Sequence, residues 1–104
     1  MKGFVFPAYC EFGRGDIGET QVSAVLTDEE AERLVTIGKE AYKNGDTFEE
    51  CSELSDIYDR IYSIAAEQIT EELRDWGDLE PDQEAGDLYS IRVGFPPQFE
   101  AEPN

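Results

Sequence analysis

Carboxylates are the chief chemical resource of this chain, and one run of them has the spacing of a metal loop. Asp78, Glu80, Asp82 and Glu84 place an acidic oxygen at every second position, as calcium loops do. Two positions depart from the EF-hand pattern. Gln83 stands where the sharp turn needs glycine, and Tyr89 stands where a bidentate Glu should close the cage. No dedicated calcium site is expected. With no histidine, and with Cys10 and Cys51 far apart in sequence, no ordinary zinc site can be built either.

The missing histidine also removes the usual assisted nucleophiles of hydrolases and transferases. Paired carboxylates could do acid–base work, but a catalytic acid needs a pKa raised by burial or a close like charge. Among 25 acids, neighbours arise by chance, and a solvated face is the simpler reading. Neither Gly-x-Gly-x-x-Gly nor Walker spacing occurs, so no phosphate loop is expected. Tyr58, Tyr62 and Trp76 could stack on bases, yet no basic groove accompanies them to neutralise phosphate. Helical spacing puts Tyr58 and Trp76 in the core instead. Gly13-Arg14-Gly15-Asp16 contains a tripeptide known from integrin ligands, but glycines flanking a short charged turn account for it. The expectation is therefore no enzyme, no cofactor, no metal and no direct contact with nucleic acid.

Charge says more. The 104 residues carry a formal −17, split as −3 over residues 1–45 and −14 over residues 46–104. Between Asp46 and Asp87 there are 15 acids, opposed by Arg60 and Arg74. A field of one sign excludes polyanions, opposes docking on anionic lipid and steers basic partners. Crowded like charges should also raise some carboxylate pKa values in the folded chain, so that stability rises as pH falls toward about 5.

The elements that must position these groups read in the order β-β-α-α-β. Phe4, Phe6, Ala8, Cys10 and Phe12 alternate along a first strand, residues 3–12, which Pro7 marks as an edge or as bulged at that point. After a glycine-rich loop over residues 13–18, Val22, Ala24 and Leu26 share one face of a second strand that returns as a hairpin. Thr27 and Glu30 form a capping box that starts a first helix, whose stripe is Ala31, Leu34, Val35, Gly38, Ala41 and Tyr42. Asn44-Gly45 ends it.

Thr47 and Glu50 offer a second capping box, with a break near Cys51-Ser52. From about Glu53 to Trp76 a second helix carries Leu54, Tyr58, Ile61, Ala65, Ile69 and Trp76 on one stripe. Ile57, Ile64 and Tyr62 widen this to an arc of about 200°, more than one packed face requires. The helix must touch two things, the sheet and either the first helix or another subunit. Residues 77–87 form an acidic loop. Leu88 to Phe95 make a third strand with Tyr89, Ile91, Val93 and Phe95 on one face, and Pro96-Pro97 stops it. The fold class is α+β, a small antiparallel sheet of three strands with two helices packed on one face. Residues 1–97 are read as one domain and residues 98–104 as a polar tail.

The first residues lack the long apolar run of a signal peptide, and no stretch is long enough to span a membrane, so a cytoplasmic location is expected, with both cysteines reduced. On the second helix, carboxylates three or four residues apart lie ~5–6 Å from one another, comparable in scale with phosphates on a strand rising ~3.4 Å per nucleotide. Arg60, four residues after Asp56, interrupts the row. The expected partner surface is Asp56, Asp59, Glu67, Glu71, Asp75, Asp78, Glu80, Asp82 and Glu84. The expected function is a small binding protein that mimics nucleic acid and inhibits a basic nuclease or other nucleic-acid-binding effector. Phage anti-defence proteins and anti-CRISPRs of similar size act in this way, and toxin-neutralising immunity proteins share the character, although no family motif matches residue by residue. The alternative is a homodimeric α+β domain that associates through its second helix.

Overall fold

The computed structural model describes residues 1–13 and 16–97. Arg14 and Gly15 of the integrin-like tripeptide, the Phe12 side chain and the expected tail from Gln98 lie outside the described residues. Strand β1 (Lys2–Gly13) pairs antiparallel with β2 (Asp16–Leu26) and with β3 (Ser90–Val93), giving the sheet order β2-β1-β3. Helix α1 (Asp28–Lys43) follows the hairpin. A 3₁₀ turn (Ser52–Leu54) then leads into α2 (Ser55–Asp75), and a four-residue helix, α3 (Ala85–Leu88), precedes β3. The α+β class and the order of its main elements are as the sequence implies.

Phe4, Phe6, Ala8 and Cys10 on β1 and Val22, Ala24 and Leu26 on β2 are buried on one face of the sheet. That face packs against Ala31, Leu34 and Ala41 of α1 and Ile57, Ile61 and Ala65 of α2. The expected loop at residues 13–18 is shorter than the glycines suggest: Ile17 pairs with Glu11 and Gly18 with Cys10, and the register shifts between Glu11 and Gly13.

Pro7 lies in the central strand with no register shift beside it. The reason is local. Gly94 donates its N–H to the Pro7 carbonyl (2.9 Å), so the backbone polar groups of Pro7 face β3 just where the β1–β3 pairing, Ala8 to Glu11, runs out. The donor that proline lacks is not needed there. Glycine suits position 94, since a Cβ would come within 3.2 Å of the Pro7 ring, a tight contact that only a small shift of the ring would admit.

The Thr27–Glu30 capping box forms as expected, with Glu30 N–H on Thr27 Oγ1 (3.1 Å) and Thr27 N–H on Glu30 Oε1 (3.0 Å). The second box also closes, Thr47 N–H on Glu50 Oε1 (3.0 Å) and Glu50 N–H on Thr47 Oγ1 (3.2 Å). It caps a single turn, with the break at Cys51 lying between it and α2. Inside that turn, fully buried Phe48 stacks on Phe6 and Phe95, with ring centroids 5.7 and 5.1 Å away, and meets Tyr58 edge-on at 5.0 Å. It is the aromatic hub of the core.

Candidate functional site

At the start of α2 one acid, Asp56, is neutralised by α1. Arg33 binds Asp56, and Arg60 grips both carboxylate oxygens of Glu30 at 2.9 and 3.0 Å. Arg60 therefore turns away from Asp56 instead of pairing along its own helix. These bonds hold carboxylates in their charged form. The Thr27 amide and then Arg60 lower the Glu30 pKa, and Arg33 lowers that of Asp56. The Thr47 amide does the same for Glu50. The carboxylates with a resolved shift thus move opposite to the rise expected from crowded charge, because each has a specific donor.

The other acids of this surface are not paired in this way. Asp59, Glu67, Glu71, Asp75, Asp78, Glu80, Asp82 and Glu84 are all exposed, and none forms an ion pair with a described residue. Residues 67–87 hold nine acids and one base, Arg74, a net of −8. The guanidinium of Arg74 is spent on a backbone group, the Gln83 carbonyl at 2.8 Å. At 100° per residue the α2 acids from Asp59 to Asp75 wind through about 160°, so they form a spiral band and not a single flat face.

That band continues into the acidic segment because the segment is fastened to α2. Gly77 takes a positive φ of +84° and closes the helix, with Asp78 N–H returning to the Leu73 carbonyl at 2.9 Å. Leu79 and Ala85 are buried, and the Ala85 N–H donates to Thr70 Oγ1 at 3.0 Å inside the fold. Between α2 and α3 runs a groove of about 620 Å³ that gathers Glu67, Glu71 and Glu84 with Arg74, Asp87 and Tyr62. Asp56, Asp59, Asp75, Asp78, Glu80 and Asp82 lie outside it. Asp87 is absent from the expected partner surface, because the sequence around α3 reads as loop. The pair Ala85 and Leu88 at i, i+3 was the faint signal for a helical turn there.

The wide apolar arc of α2 is explained inside the chain: β2 and β3 lie on one side, α3 on the other. Gln68 Nε2 reaches the Gln21 carbonyl of β2 at 2.8 Å, and Thr20 Oγ1 lies 3.4 Å from Glu72 Oε1. Trp76 is not in the core. It follows the last residue of α2 and is 68% exposed, over a small cleft shared with Cys10, Gly18 and Thr20, where Gly18 offers no side chain to cover it. Leu88 likewise is exposed at the end of α3, and β3 begins only at Ser90.

Among the described residues no cluster of His, Cys, Asp and Glu is arranged to hold a metal ion, and no helix is long and apolar enough to cross a membrane. No protein-family model, curated protein or solved structure matches the chain.

Proposed function

We propose that the chain is a non-enzymatic binding protein that uses the acidic band of α2 and residues 78–87 to fill the basic groove of a nucleic-acid-binding effector or nuclease, and so excludes its nucleic acid. One observation carries this reading: nine acids of the band are exposed and unpaired by described residues, while Arg33 and Arg60 are used elsewhere. Glu67, Glu71 and Asp75 are spaced four residues apart, ~6 Å of helix rise per step. One charge per ~6 Å is about half the density of a nucleic-acid strand, which carries one per ~3.4 Å. Asp56, neutralised by Arg33, drops out of the contact set.

The test is capture of basic nucleic-acid-binding proteins on the immobilised chain at low salt, followed by competition with a labelled oligonucleotide on the captured protein. Mutual exclusion that weakens as salt rises is the expected result. Simultaneous binding of chain and oligonucleotide would rule mimicry out.

A further inference from the structure

Helices cover one face of the sheet, and the opposite face is mostly exposed, with Pro7 buried in its middle. On it stand Val5, Ile17 and Val25, 40%, 58% and 61% exposed, with half-buried Tyr9 among them. A depression of about 580 Å³ crosses this face from Ile17 past Tyr9 and Arg92 to Thr47 and Glu50. Its charge sets it apart from the rest of the molecule. Glu11, Glu19 and Arg92 project from the strands, with Glu49 and Glu50 at the β3 rim, against −8 for residues 67–87 alone. Two chains of −17 repel over most of their surfaces. Here they can meet.

Register supplies the second argument. Tyr9 pairs with Glu19 on β2 and with Arg92 on β3, so these residues form one cross-strand row with opposite charges at its ends. Arg92 is exposed and makes no ion pair with a described residue. Consider two such sheets packed face to face at ~10 Å, related by a two-fold axis parallel to β1. β3 of each copy then lies over β2 of the other at the same level, and Arg92 meets Glu19 twice. An axis running across the strands would instead set Glu19 on Glu19 and Arg92 on Arg92. The usual ~30° between aligned sheets moves a strand ~4.8 Å off the axis by only about 2.4 Å, within reach of both side chains.

We propose that the outer sheet face binds a second copy of this chain about that axis, with reciprocal Arg92–Glu19 pairs flanking apposed Val5 and Tyr9 side chains. Glu11 faces its own copy at the hairpin end, a like-charge contact that weakens the association. The twelve residues of β1, eleven of β2 and four of β3 give a face of about 440 Å². A standard stable interface buries ~800 Å² per partner. The dimer is therefore weak and reversible.

Sedimentation equilibrium of the full chain, from about 10 μM to 1 mM at low and moderate salt, tests this. The dimer fraction rises with salt, because screening removes the repulsion between −17 copies. Binding to a basic partner weakens with salt, so the two proposals fail separately. Arg92→Glu and Glu19→Arg each weaken the dimer roughly two- to thirty-fold, from two exposed pairs lost. The double variant has the original −17 and recovers it. Melting curves confirm that all three fold. A monomer under every condition overturns the proposal, as does a double variant no better than the singles. So does a Glu19→Arg variant tighter than the parent, which would mean that net charge alone governs.

Discussion

Thr70→Val probes the bond that couples the acidic segment to its helix. Thr70 is 6% exposed, and its Oγ1 accepts the N–H of Ala85, which is fully buried. With the Arg74 contact to the Gln83 carbonyl, this bond sets where Asp78, Glu80, Asp82 and Glu84 stand relative to Glu67 and Glu71. Valine keeps the side-chain shape but removes the acceptor, leaving a buried N–H unpaired at a cost of ~1–3 kcal/mol. At ~2.1 cal/mol/K per residue, 104 residues lose about 0.22 kcal/mol/K on folding. The melting temperature should therefore fall by about 5–14 °C. Hydrogen exchange at the Ala85 amide should speed up roughly five- to 160-fold, local opening now being easier. Thr70→Ser keeps the acceptor and should keep the protection. Affinity for a basic partner should drop in the valine variant although no charge has changed. A melting temperature within about 1 °C of the parent, with unaltered exchange at Ala85, would refute the coupling.

Phe48→Ala removes the hub that touches Phe6, Tyr58 and Phe95, and should cost ~3–5 kcal/mol by urea denaturation. That is a large share of the ~5–16 kcal/mol expected for a chain of this length. In acid, Glu30, Glu50 and Asp56 have folded pKa values below their unfolded ones, so their contribution is present above the unfolded value of ~4 and lost as pH falls through the folded one. The melting temperature should decline below about pH 4.5, and a steady rise down to pH 3.5 would contradict these bonds. Both cysteines are free, so thiol counting on the unfolded, unreduced chain should return two. In the folded chain half-buried Cys51 should react before Cys10, which is 3% exposed and whose thiol burial pushes up; the reverse order would contradict the packing of β1.

The regular parts of the fold were legible because they obey short-range rules. Alternation of Phe4, Phe6, Ala8 and Cys10 declares a half-buried strand, and Thr27 with Glu30 announces the helix start by satisfying its first amides. What escaped depends on contacts distant in sequence. Phe48 sits between polar residues with no period around it, so nothing local marks it as the centre of the core. Trp76 continues the stripe of α2 by number, yet the Gly77 turn ends the helix, and Gly18 on the strand beneath has no side chain to cover the ring. Pro7 is read as an edge signal, because sequence cannot show that β3 stops one residue short of needing its donor. The acids themselves were visible, but their pairing was not. Arg60 lies four residues from Asp56 and reaches Glu30, while Arg33, on another helix, takes Asp56.

The direct test of the central claim compares two quadruple charge reversals for binding to a captured basic nucleic-acid-binding protein at low salt. One reverses Glu67, Glu71, Asp78 and Glu84 to lysine within the acidic band. The other reverses Glu29, Glu32, Glu40 and Glu53, exposed acids outside it. Both move the net charge from −17 to −9, two units per reversal, so position is the variable. Exposed pairs are worth ~0.2–1 kcal/mol each. The band variant should therefore lose roughly four- to 900-fold in affinity and show a flatter salt dependence, while the control loses less than the band variant. Equal losses in the two variants, or no loss in the band variant, would contradict the account.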